Sequence, residues 1–79
     1  MRVSCMHDDP DRVNYDETKL HIVRLDGERL SHVFAYDIDG SYIERHVTDA
    51  DGKLVVNADR TEIECEKRFG VVTVELVPR

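Results

Sequence analysis

The sequence predicts an all-β fold: a small antiparallel meander of hairpins that forms a sandwich or a partly closed barrel of about six to seven strands. Three observations predict it. First, three Asp-Gly pairs, Asp26-Gly27, Asp39-Gly40 and Asp51-Gly52, sit 13 and 12 residues apart. Each separates segments rich in β-branched, aromatic or aliphatic residues. Asp and Gly both tolerate the positive φ that a type I′ hairpin turn requires. Second, tight turns at all three pairs gather most of the large apolar side chains, from Val23 and Leu25 through Phe34, Tyr36 and Ile43 to Leu54, Val56 and Ala58, on one face. His32 and Arg45 are the polar exceptions, and a one-residue slip at any turn breaks the pattern. Third, residues 61–67 alternate with a period of two. A helical period fails there, because Ile63 has no apolar partner at 66 or 67.

The elements follow in order. Arg2 to Met6 alternates weakly and reads as a short first strand. His7 to Glu17 is an acidic loop with Pro10 at its centre, and one helical turn is expected after Asp9, where Pro10 suits the first helical position. Lys19–Leu25, Arg29–Asp37, Ser41–Thr48 and Lys53–Ala58 are the four meander strands. Their turns set Val23 opposite Leu30, His21 opposite His32, Tyr36 opposite Ile43, Phe34 opposite Arg45, Val47 opposite Val56 and Asp49 opposite Leu54. The outer face carries Arg29, Ser31, Glu44, His46 and Asn57, with Ile22, Val33 and Val55 as apolar exceptions that imply partial cover. After a break at 57–60, Thr61–Lys67 and Val71–Val77 form a C-terminal hairpin about Phe69-Gly70. It pairs Lys67 with Val72, Cys65 with Val74 and Ile63 with Leu76. The chain is then one domain, 1–79: a strand and acidic loop over 1–18, the meander over 19–58 and the hairpin over 61–77.

A chain of 79 residues buries only about 60% of its unfolded surface, so a homodimer, a larger partner or a disulfide would help it. Seventeen acidic residues against eleven basic ones give a net charge of −6. That balance argues against direct nucleic-acid binding and against an anionic membrane, since both need a basic patch. It suits a partner protein with a basic surface, and it also keeps a small protein soluble. The segment Met1–Met6 is too short and polar for a signal peptide and no apolar run approaches a membrane span, so a cytoplasmic location is expected. Two cysteines do not make a secreted disulfide framework.

For chemistry, the residues offer little. Asp37-Ile-Asp-Gly40 and Asp49-Ala-Asp-Gly52 look like pieces of a calcium loop. The earlier ligand positions hold Ala35 and Val47 and the later ones His46 and Ala58, so both read as turns. His21 opposite His32 could share a metal with too few ligands. Cys5, His7 and Cys65, with Asp8 or Asp9, would make a zinc set if the first strand met the C-terminal hairpin, but their spacing matches no common zinc signature. No phosphate loop, nucleophile elbow or cysteine–histidine pair is predicted, so the chain reads as no enzyme and as needing no cofactor. What remains is acid. Glu62, Glu64 and Glu66 would line one strand at about 7 Å spacing, close to the repeat of phosphates on a nucleic-acid strand. With Asp8, Asp9 and Asp11 of the loop they are the expected partner-binding residues.

The run DIDGSYIERHVTDADGKLVV, Asp37 to Val56, set in a short acidic β chain with Asp-Gly hairpins, resembles small accessory proteins of temperate phages and prophages. The resemblance covers roughly residues 20 to 77. Such proteins include virion parts and inhibitors of host defence, anti-CRISPR proteins among them. It implies function by binding in the host cytoplasm, without a cofactor, and carries no site residues with it. The expectation is a protein-binding module whose acidic row occupies a basic, nucleic-acid-binding groove. The alternatives are a small phage structural or assembly protein, or a small metal-binding β protein.

Overall fold

In the computed structural model, which describes residues 1–56 and 62–79, the described residues form seven strands in two antiparallel sheets. The strands are β1 (Arg2–Ser4), β2 (Lys19–Leu25), β3 (Glu28–Arg29), β4 (Val33–Asp37), β5 (Tyr42–His46), β6 (Cys65–Phe69) and β7 (Val72–Pro78). A 3-10 helix, Pro10–Asn14, lies between β1 and β2. Sheet one has the order β1-β4-β5-β6 and sheet two the order β3-β2-β7. The sheets face each other as a sandwich and do not close into a barrel. Val3, Tyr36 and Ile43 of sheet one meet Val23, Leu25 and Val72 of sheet two in one buried cluster, flanked by Tyr15, Leu30, Val33 and Val74. Among the described residues no helix is long and apolar enough to cross a membrane.

Local expectations survive where neighbours set them. Asp9 caps the 3-10 helix, its carboxylate accepting the Asp11 N–H at 2.9 Å, and Pro10 opens it. Asp26 and Gly27 take φ of 51° and 86°, the values a type I′ turn demands. The Leu30 N–H donates to the Val23 carbonyl, as that turn requires. Tyr36 lies opposite Ile43, although the turn between them is of another kind. Asp37 closes it by accepting the Gly40 N–H at 2.9 Å, and the positive φ falls on Ser41.

Long-range expectations are corrected in four places. The meander breaks at His32, whose φ of 60° turns the chain from sheet two into sheet one, so His21 faces Leu76 of β7 and never His32. A bulge between Val33 and Ala35 sets Arg45 opposite Val33, which frees Phe34 to stack on His46 at 4.7 Å between ring centres. At the third turn the Asp49 carboxylate accepts the N–H groups of Asp51 and Lys53. That local clasp moves the pairing by one residue, to Thr48 opposite Leu54. Leu54 and Val56 then stand 39% and 47% exposed, off the core face. Asn57 and Ala58, expected on opposite faces of this strand, lie outside the described residues, as does the predicted break at 57–60.

The fourth correction is the C-terminal hairpin, which does not exist. β6 pairs with β5 and β7 pairs with β2, in different sheets. Phe69-Gly70 is a crossover between the sheets. The Gly70 N–H donates to the Ser41 carbonyl and the Asp26 N–H to the Val71 carbonyl, while the Asp26 carboxylate accepts the Val71 N–H at 2.9 Å. A Cβ on Gly70 would stand 2.6 Å from an Asp26 carboxylate oxygen, so any other residue must push that carboxylate aside. The physical reason is alternation: Val72, Val74 and Leu76 can line a core from either sheet, and β2 offers β7 seven paired positions.

Candidate protein-binding surface

Period two along each strand fixes what sheet one shows to the outside. Val3, Tyr36 and Ile43 point into the core, so Arg2 and Ser4, Ala35 and Asp37, Tyr42, Glu44 and His46, and Cys65, Lys67 and Phe69 belong to the outer face. The segment after β1 folds back over the β1–β4 half of that face, and Ser4 and Ala35 are buried although they point outward. The 3-10 helix packs on β1, and the Asn14 side chain donates to the Arg2 carbonyl at 2.8 Å.

Arg2 organises this half. Its guanidinium donates to Asp9, to Asp11 at 3.0 Å and to Glu44 at 2.7 Å. These carboxylates, Asp9 first, raise its pKa above the ordinary value. Arg2 in turn holds the Asp9 carboxyl below its usual range. The N-terminal ammonium lies 3.2 Å from Asp37 and 3.1 Å from Asp39. The Asp37 carboxyl is lowered first by the Gly40 N–H and then by that ammonium. Five carboxylates thus surround two cations, with Asp8 exposed beside them.

The β5–β6 half is bare and aromatic. The Lys67 ammonium sits 4.0 Å from the centre of the Tyr42 ring and 5.5 Å from that of Phe69. Phe69 is 69% exposed. Farther along, His46 places Nδ1 at 3.5 Å from the Cys65 sulfur, a cysteine–histidine contact that sequence reasoning missed because the strand partners were wrong. Burial and then Glu62 push the Cys65 thiol pKa up, which keeps it protonated and a poor nucleophile.

The six expected site residues are not brought together. Asp9 and Asp11 are spent on Arg2, and Asp8 alone of the loop trio is exposed. Glu66 points to the inner side of sheet one and pairs with Arg45 at 3.2 Å. Glu62 and Glu64 precede β6, and Glu64 bonds its backbone to Val47 and Val55. The loop acids and Glu66 lie at opposite edges of a four-stranded sheet, roughly 14 Å apart at the usual strand spacing. The acids that do gather include Glu44, Asp37 and Asp39, which the sequence presented as strand polarity and turn chemistry.

The metal sets separate as well. Cys5 lines the space between the sheets while Cys65 is on the outer face near β5. Among the described residues no three His, Cys, Asp or Glu side chains gather as a metal would need. The space beside Cys5 is a cavity of about 80 Å³, bounded by Val3, Tyr15, His21, Val33 and Tyr36. Tyr15 stacks on His21 at 4.2 Å. The Asp16 carbonyl can only accept, so His21 donates from Nε2 at 2.8 Å, and the Tyr36 hydroxyl donates to Nδ1 at 2.9 Å. Pockets for small organic ligands run to about 300–1,000 Å³, so this plugged space is better suited to packing.

Comparison with known proteins finds no matching protein family, no matching curated protein and no matching solved structure.

Proposed function

We propose that this chain is a small acidic protein-binding module that sets the outer face of sheet one against a basic protein surface. The observation that supports it is the pairing on one face of two complementary halves. One is a rim of carboxylates around Arg2, and the other is an exposed aromatic step of Tyr42, Lys67 and Phe69. Aromatic anchors beside charged, steering groups are the usual make-up of a protein interface. Asp8 and Asp39, both exposed, supply the charge, and Phe69 supplies the anchor. The finer form of the proposal is a phage-encoded inhibitor, acting in a host cytoplasm and resembling anti-CRISPR proteins, that covers the nucleic-acid groove of a defence complex. The acidity and the resemblance support that form.

The test is capture of partners from a host lysate by the tagged protein at low and at high salt. A nucleic-acid-binding complex held at low salt and released at high salt is the expected result. Asp8→Lys with Asp39→Lys, both at exposed positions, should lose it. Undiminished capture by that double variant would overturn the acidic-rim reading. A second reading, a structural or assembly protein, is favoured by one observation, the open edge of β7.

A further inference from the structure

We infer that β7 is a self-pairing edge: two copies of this chain join β7 to β7 in antiparallel fashion, with Leu76 on the two-fold axis, to make one continuous six-stranded sheet. The inference stands on sheet two and does not rest on the acidic-rim reading.

The backbone sets the geometry. The Asp26 N–H donates to the Val71 carbonyl, and the ladder with β2 runs on from Leu25–Val72 to Lys19–Pro78. Alternation then turns the N–H and C=O groups of Thr73, Glu75 and Val77 toward β2, and those of Val72, Val74 and Leu76 away from it. Among the described residues β7 pairs with β2 alone. Exposure rises along the strand: Val72 is 4% exposed, whereas Leu76 is 50% exposed. The open half is therefore Val74 to Pro78.

Of the antiparallel registers open to that half, none makes more backbone bonds than the one centred on Leu76. Centring on Glu75 sets two carboxylates against each other. Centring on Val74 needs Val72, which is buried. Centring on Leu76 uses open residues only. It pairs Leu76 with its own copy, sets Val74 opposite Pro78 of the second copy, whose carbonyl accepts although it has no N–H, and sets Glu75 opposite Val77. The half-exposed Leu76 side chain is then covered by itself.

Charge favours a copy of the same chain as the occupant. The segments 19–29 and 72–79, which hold sheet two, carry four basic and three acidic residues, so the excess of acid lies elsewhere. Two copies can meet at β7 without bringing their acidic rims together. A basic partner has no reason to choose this edge.

The experiment is sedimentation equilibrium of the purified chain from about 10 μM to about 1 mM, the range in which a short strand-to-strand contact associates, with amide hydrogen exchange at both ends of it. The expected mass rises from 9.1 kDa toward twice that value, at low and high salt alike. The Val74 and Leu76 amides should slow with concentration while those of Thr73 and Glu75 stay as they were. Leu76→Lys, at a half-exposed site, should weaken association at least tenfold by placing like charges on the axis. A mass of one chain throughout, with Val74 and Leu76 exchange independent of concentration, overturns the inference and leaves the edge for a strand of another protein. A dimer that Leu76→Lys does not weaken overturns it too. A dimer that salt dissolves would point to the rim and away from β7.

Discussion

β6 and β7 follow one another in the chain, and each ends its sheet, but they guard that edge by different means. β6 reads Cys-Glu-Lys-Arg-Phe, three charges in a row on a five-residue strand. β7 reads Val-Thr-Val-Glu-Leu-Val-Pro, with one charge, on Glu75, and a proline at its last position. Charged side chains and prolines are the devices by which sheet edges refuse strangers. Sheet one therefore blunts its β6 edge and presents its outer face, where the aromatic step and the carboxylate rim lie. Sheet two has a plainer outer surface and leaves half of an apolar edge open. In the two proposals above, the sheets of this 79-residue chain divide the work of contact, one by a face and one by an edge.

The comparison can be broken by substitutions, the strongest at the core between the sheets. Ile43 is fully buried at the centre of sheet one, and Ile43→Ala should cost about 2–5 kcal/mol, on the order of 10 °C or more in melting temperature. If both sheets melt as one unit, β6 and β7 amides should lose protection together. Loss confined to β6 would make the sheets separate cooperative units.

The crossover that links the two edges comes next. Gly70→Ala drives a Cβ into the Asp26 carboxylate and should cost about 1–3 kcal/mol in denaturant unfolding. Gly27→Ala, at φ 86° but in open space, should cost about 1–2 kcal/mol from its backbone alone. A Gly70 variant as stable as wild type would show that the clamp by Asp26 gives way.

The acidic rim predicts a pH dependence. Asp9 and Asp37 are lowered by Arg2 and by the Gly40 N–H respectively. Their contribution is therefore complete above the ordinary carboxylate range and is lost as pH falls below about 4, through the depressed values. Denaturation midpoints should drop over that interval, and Arg2→Met should flatten the drop. Equal slopes in the two proteins would remove Arg2 from its organising role.

The smallest effect on stability is expected at β6 itself. Lys67→Val removes two cation–π contacts and should change stability by only about 0.5–1 kcal/mol. It also turns β6 into a less charged edge, so association in solution should appear or grow. A variant that associates no more than wild type would mean that Glu66 and Arg68 suffice to guard the edge.

Much of this fold was legible from neighbours along the chain. Asp26-Gly27 announced its turn, Asp9-Pro10 announced a helical start, and Tyr36 found Ile43 even though Ser41, and not Asp39-Gly40, carried the strained backbone. The expected site was less legible. Glu62, Glu64 and Glu66 alternate as they should, but whether Glu66 meets solvent depends on Arg45, 21 residues away. Asp9 and Asp11 looked free because Arg2, their partner, sits on a strand whose place was open.

The β class, the positions of the turns and the capped 3-10 helix follow from residue order, because a period of two and a tolerated φ are properties of a few adjacent residues. Strand partners and the fate of each carboxylate do not. Val72-Thr-Val-Glu-Leu-Val77 alternates equally well beside β6 or beside β2, so nothing local distinguishes a hairpin from a crossover. That choice falls to the packing of Val72 against Val23, Leu25 and Ile43 in one core. The same packing carries Arg2 to Glu44 across 42 residues and so settles which acids are spent on the fold and which remain on its surface.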